Sequence, residues 1–141
     1  MKITTIGLDI AKSVFHLFAV NKAGRFVKKK ELKRKQLLAY FAKLEPCLIV
    51  MEACGGANYW AREFIALGHQ VKLIAPQYVK PFVKGNKNDY NDAEAITEAA
   101  QRPTMRFVPI KSIEQQDIQN YHRQRERIKK ERTALVNQIR G

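Results

Sequence analysis

The chain alternates short apolar runs with turn signals over its first half. Ile3 to Ile10 and Val14 to Val20 each read as a β-strand, and Ala11-Lys12-Ser13 is short enough to join them as a hairpin. Asn21-Lys22-Ala23-Gly24 is a second turn signal. Arg25 to Leu32 follows as a third, edge strand, whose Lys28-Lys29-Lys30 run discourages edge-to-edge pairing. Leu37, Leu38, Phe41 and Leu44 then fall at helical spacing over Lys35 to Leu44, with Pro46 as the stop. Cys47 to Met51 is apolar without alternation, which suits a strand buried on both faces of a parallel sheet. Gly55-Gly56 reads as a break. Asn58 to Leu67 is a helix with Trp60, Phe64 and Leu67 on one core-facing stripe. Val71 to Ala75 is the next strand, ended by Pro76, so the order strand, helix, strand predicts a right-handed crossover.

The second half is more polar. Asp92 to Gln101 is rich in Ala and Glu and predicts a helix ended by Pro103, followed by a connector or strand at Phe107-Val108-Pro109. Ser112 to Arg140 reads as one long polar helix, opened by a Ser112/Gln115 capping box. Tyr121, Ile128 and Leu135 fall seven residues apart, with Val136 and Ile139 beside them, so this helix is expected to seek a partner.

Composition sharpens this picture. The 141 residues fit one ordinary domain with an appendage, and a 45% hydrophobic content supports a real core. Lys plus Arg total 26 against 13 Asp plus Glu, a formal charge of +13 that favours a polyanion partner, with nucleic acid foremost. No apolar run approaches the roughly 18 residues of a membrane span, and the start has no signal-like core, so a cytoplasmic, nucleoid-associated protein with no membrane partner is expected. Cys47 and Cys54 suit core packing in a reducing compartment rather than a disulfide or zinc site. His16, within an apolar strand run, reads as a core histidine.

Against this basic background four acids stand out. Asp9 and Glu52 each end an apolar run, and Asp89 and Asp92 lie three residues apart in Lys-Asn-Asp-Tyr-Asn-Asp-Ala. A carboxylate at a buried strand end is costly unless paired, protonated or bound to a metal. If the strands ending in Asp9 and Glu52 are parallel neighbours, both acids emerge at the carboxyl edge of the sheet, where open α/β folds place their ligands. The i, i+3 pair Asp89 and Asp92 shares one face of a helix or of the turn that opens it. Three or four carboxylates meeting there form an oxygen-rich cage suited to Mg²⁺ or Mn²⁺. Taken singly each acid has a plain alternative: a turn residue, a partner for Arg62 or a lysine, a helix N-cap, or a solvated charge.

Gly7-Leu8-Asp9-Ile10-Ala11-Lys12, Met51-Glu52-Ala53-Cys54-Gly55-Gly56 with Tyr59-Trp60, and Lys87-Asn88-Asp89-Tyr90-Asn91-Asp92-Ala93 together resemble the catalytic domain of the DEDD transposases of bacterial insertion sequences of the 110/1111 type. The resemblance implies a ribonuclease H-like (RuvC-like) α/β fold, a mixed sheet flanked by helices. It implies that Asp9, Glu52, Asp89 and Asp92 are the metal-binding, catalytic acids, with Mg²⁺ or Mn²⁺ as cofactor. It also implies a structured guide RNA as a partner beside DNA. Family members continue into a second domain with a nucleophilic serine. Nothing here matches that domain, and Ser13 and Ser112 sit in no supporting motif. The expectation is residues 1–110 as the catalytic domain and 111–141 as the start of a coiled coil, a fragment not active alone.

The basic residues cluster. Eight Lys or Arg lie between Lys22 and Lys35 against Glu31 alone, and seven lie between Tyr121 and Gly141 against Glu126 and Glu131. Lys28, Lys29, Lys30, Lys33 and Arg34, with Arg123, Arg127 and Lys130 on the long helix, are candidate backbone contacts to nucleic acid. Lys80, Lys84 and Lys87 flank the acids, and Lys84 and Lys87 join the candidate contacts. A homo-oligomer through the C-terminal helix is expected. Three other functions fit parts of the pattern: a free-standing Holliday-junction resolvase, a nucleic-acid-binding module without catalysis, and the first lobe of an actin-like ATPase, for which the chain is short.

Overall fold

The computed structural model describes residues 2–85 and 90–140. Strand β1 (Thr5–Ile10) pairs antiparallel with β2 (Val14–Val20), and β2 with β3 (Phe26–Lys33). On its other side β1 runs parallel to β4 (Leu48–Glu52), and β4 runs parallel to β5 (Gln70–Ile74). The two-residue β6 (Phe107–Val108) closes the sheet antiparallel to β5, giving the order β3-β2-β1-β4-β5-β6. This is the mixed sheet of the ribonuclease H-like class, with β1 near its centre.

Helices cover both faces. Alternation along β1 sends Ile6 and Leu8 into one core layer, which also holds Phe41 of α1 (Leu37–Lys43) and Trp60 and Phe64 of α2 (Gly55–Ala66). Val50 and Ile74 belong to the other layer, with Ala95, Ile96 and Ala99 of α4 (Asn91–Ala100) and Val79 of the one-turn α3 (Pro76–Val79). His69 ties the first layer together: its Nδ1 accepts from the Cys47 N–H at 3.2 Å, and its Nε2 reaches the Phe41 carbonyl at 2.7 Å. That pattern fixes a neutral ring with the proton on Nε2.

Helix α4 lies directly on β1 because Gly7 has no side chain. A Cβ at Gly7 would fall inside van der Waals contact of the Thr97 Oγ1 and the Ala93 carbonyl, and 2.9 Å from the Thr97 N. The Thr97 hydroxyl in turn lies 2.8 Å from the Ala93 carbonyl and 3.3 Å from that of Phe18, the residue paired with Gly7 across the hairpin. A glycine on the strand and a threonine on the helix thus set their separation.

Most element boundaries follow the periodicity, and the departures have local causes. A 3-10 turn, Arg34–Gln36, precedes α1, and the Gln36 Oε1 accepts the Lys33 N–H at 3.1 Å. Gly55 and Gly56 are not a break but the first turn of α2. A first turn has backbone donors free of intrahelical partners, so the poor helix propensity of glycine matters least there. Because α2 starts early, Cys54 lies in the connection from β4 and is exposed, against the expectation of core packing, whereas Cys47 is buried. Burial pushes the Cys47 thiol up to about 11, away from reactive thiolate chemistry.

The chain divides into two compact units, 1–110 and 111–141. The second is α5 (Ile113–Arg140), a single 28-residue helix. Its capping box is formed: the Gln115 N–H donates to the Ser112 Oγ at 3.1 Å, and the Ser112 N–H to the Gln115 Oε1 at 2.9 Å. Its apolar stripe stays exposed, with Ile128 at 64% and Ile139 at 78%. Among the described residues no helix is long and apolar enough to cross a membrane.

We predict that Gly7→Ala destabilises the domain by about 2 kcal/mol or more, the upper part of the usual range for overpacking, because the new methyl meets backbone as well as side chain. Urea unfolding checks this, and an unchanged midpoint would contradict the close approach of α4.

Candidate active site: acids at the carboxyl edge of the sheet

The same alternation that places Gly7 under α4 places Asp9 on that face, one residue pair further along β1. On β4, Val50 packs in the α4-side layer, so Glu52 shares its face. The parallel register pairs Gly7 with Val50 and Leu8 with Met51, and its next step brings Asp9 level with Glu52. Both acids therefore leave the sheet at one edge. Helix α4 begins at Asn91 with Asp92 in its first turn. Packing of Thr97 and Ala93 on Gly7 brings that turn to the same edge.

The charges of these groups act on one another. The Asp9 carboxyl is raised from its ordinary 3.8 to about 6, first by burial, then by Asp92 and Glu52, with His16 acting in the opposite sense. The Glu52 carboxyl is also raised, first by burial and then by Asp92, and Lys80 partly offsets this. Asp92 thus acts on both strand acids. Asp89 and Lys87 lie outside the described residues. Among the described residues no three His, Cys, Asp or Glu side chains are grouped tightly enough to hold a metal ion by themselves. The arrangement is an open cluster of partly desolvated acids, all offering oxygen, and that donor chemistry fits a hard divalent cation.

One residue of this edge was misread in the sequence. His16 pairs with Asp9 across the β1–β2 hairpin. Its Nε2 lies 3.9 Å from Glu31 Oε1, and its ring meets Tyr90 edge-on at 5.2 Å between centroids. It belongs to the polar edge rather than to the core. A three-residue turn at Ala11-Lys12-Ser13 would pair Asp9 with Phe15; the connection takes in Val14 as well, so Ile10 pairs with Phe15 and Asp9 with His16.

The candidate nucleic-acid contacts divide into groups. Lys28 and Lys30 lie over the Tyr40 ring at 5.7 and 4.8 Å, and Lys29 over Tyr90 at 5.0 Å. Lys33 and Arg34 are exposed where β3 ends. Lys84 lies 3.3 Å from Glu94 and 3.5 Å from Glu98 of α4, so two carboxylates already engage its ammonium. On α5, Arg123 and Lys130 are exposed, and Arg127 meets Glu131 at 3.2 Å.

Comparison with known proteins decides the family. The model of the IS110-type DEDD transposases, described as "Transposase", matches residues 6–141. This chain belongs to the DEDD transposase family. It is 56% identical over 141 residues, all of this chain, to a probable family 20 transposase of Pseudomonas aeruginosa, and covers 42% of that protein. It is 51% identical over 139 residues, 99% of this chain, to the transposase for insertion sequence element IS1111A of Coxiella burnetii, covering 38% of it. The chain thus spans about two fifths of the length of these curated relatives. Among solved structures it is similar to T. thermophilus RuvC in complex with a Holliday junction substrate, with a TM-score of 0.50 and 13% identity over 77% of this chain and 100% of that one. At that identity the likeness shows the fold alone, and it is the fold that the DEDD resemblance implied.

The raised Asp9 makes a pH prediction for this transposase domain. A carboxyl whose folded value lies above its unfolded one stabilises the fold when protonated. That contribution is full below about 3.8 and is lost as the pH rises through about 6. Asp9→Asn should therefore raise the melting temperature at pH 7.5 in metal-free buffer, and the gain should vanish near pH 4. A variant that melts lower than wild type at pH 7.5 would overturn the assignment of Asp9 to a crowded, desolvated site.

Proposed function

We propose that this domain carries the metal-dependent phosphodiester chemistry of a transposase that cuts and rejoins DNA. The observation that supports this most is the meeting of Asp9, Glu52 and Asp92 at one sheet edge, in a chain that is otherwise strongly basic. Asp9, Glu52 and Asp92, with Asp89 as the fourth acid of the motif, would hold one or two Mg²⁺ or Mn²⁺ ions, and Asp9, on the central strand, would be their principal ligand. When bound, such ions activate water and stabilise the leaving oxygen of a phosphodiester. The chain's own contribution is a set of carboxylates held partly out of water, with His16 and Lys80 limiting their mutual repulsion. Lys28, Lys29, Lys30 and the exposed cations of α5 supply sequence-independent contacts to a phosphate backbone. DNA is the first partner in this reading and a structured guide RNA the second. The exposed stripe of α5 is the seam of a coiled coil joining two copies, and residues 1–110 are the catalytic unit.

A second reading, a nucleic-acid-binding module without catalysis, is favoured by the absence of a tight three-ligand group among the described residues. Calorimetry separates the two. Mn²⁺ should bind the wild-type chain with release of protons at pH 6, and Asp9→Asn should lose at least about tenfold in affinity, since even the outer-shell partners of a metal site are commonly worth that much. Equal Mn²⁺ binding by both proteins would sink the catalytic assignment. We further predict that a fluorescent DNA duplex binds at 50 mM salt and loses about a thousandfold in affinity by 200 mM if some six phosphates are contacted. Salt-insensitive binding would contradict the role given to the lysines.

A further inference from the structure

A concave site opens where the β1–β2 turn, the end of β3 and helix α2 meet. It is a cavity of about 630 Å³ lined by Ser13, Val14, Lys33, Arg34, Lys35 and Trp60. Its position is fixed by backbone: the Arg34 N–H donates to the Ser13 carbonyl at 3.0 Å, and the Arg34 Nη1 to the Lys12 carbonyl at 3.5 Å. The bond from the Lys33 N–H to the Gln36 Oε1 ties Lys33, at the end of β3, to the 3-10 turn that carries Arg34 and Lys35. The Arg34 guanidinium lies over the Trp60 ring, 5.3 Å from its centroid, while Trp60 itself is 4% exposed.

We infer that this cavity takes an unpaired nucleotide, its base stacked on Arg34 and its phosphate held by Lys33 and Lys35. The inference rests on the nucleic-acid reading above and adds to it a place for a base. The lining combines an apolar wall, Val14 and Trp60, with three cations and a hydroxyl, and among the described residues no acid lines it. That combination matches a nucleotide, which joins a flat π-face to an anion, better than a peptide or a lipid surface. A guanidinium laid on an indole presents its outer face as a stacking platform, and bases stack readily on arginine planes. A paired duplex offers only its phosphates here, since its bases are already stacked on one another. Ser13 is four residues from Asp9, at most about 14 Å of chain. A strand with a phosphodiester at the acids can therefore send a neighbouring, unpaired nucleotide round the sheet edge into the cavity.

Trp60 is the only tryptophan, so its emission reports on this site alone. The test titrates the full chain with a five-residue oligo-dA, the matching oligo-rA, a blunt DNA duplex and ribose 5-phosphate. Either single strand should change Trp60 emission, and the better of the two identifies the source of the nucleotide, whereas ribose 5-phosphate should leave it unaltered. Arg34→Lys keeps the charge and loses the plane. It should weaken single-strand binding about tenfold while changing duplex binding less than about twofold. An equal response to ribose 5-phosphate, or an Arg34→Lys variant that binds single strands as tightly as wild type, would overturn the proposal. Either result would leave Mn²⁺ binding at Asp9 untouched, so the cavity and the acid site fail separately.

Discussion

The closeness of α4 to β1 is the constraint on which this domain depends. At Gly7 a strand gives up its side chain, and Thr97 and Ala93 settle onto bare backbone. Without that approach α4 would stand off the sheet by at least a methyl group. The first turn of α4, with Asp92, would then move away from the ends of β1 and β4. Local sterics at one glycine therefore set the distance between acids supplied by three separate elements.

That geometry works against stability. The fold draws Asp9 and Glu52 partly out of water and sets Asp92 beside both, and the two strand acids respond by holding their protons more tightly. In a protein of formal charge +13 the acids could have been matched by lysines. Instead Lys84 is drawn to Glu94 and Glu98, and among the described residues only His16 and Lys80 temper the cluster. A site that keeps its repulsion in reserve is suited to a multivalent cation, whose arrival would relieve burial and crowding together.

Much of this was legible in the residues because the signals are local. Alternation in β1 and β2, the continuous apolar run of β4 and the helical stripe of α2 each reflect a neighbour on a known side. The parallel crossover from β4 to β5 and the Ser112 cap of α5 followed from the same reasoning. The misreadings arose where context overrides propensity. Gly55-Gly56 reads as a break, yet a helix's first turn tolerates glycine, and that shift left Cys54 outside the core. His16 reads as core because its neighbours are apolar. Its true surroundings depend on register, since the hairpin carries it to Asp9. Gly7 gave no sign that a helix lies on it, because that contact spans some 90 residues of chain. The cavity beside Trp60 was hidden for the same reason, being built from a turn, a strand end and a helix that meet only in three dimensions.

The most direct test of the account is a crystal structure of the chain grown with Mn²⁺, read by anomalous scattering at the manganese edge. The account predicts a peak at the carboxyl edge of β1 and β4, coordinated by Asp9 together with Glu52 or Asp92. A peak only at other acids, or none at that edge under saturating Mn²⁺, would contradict it.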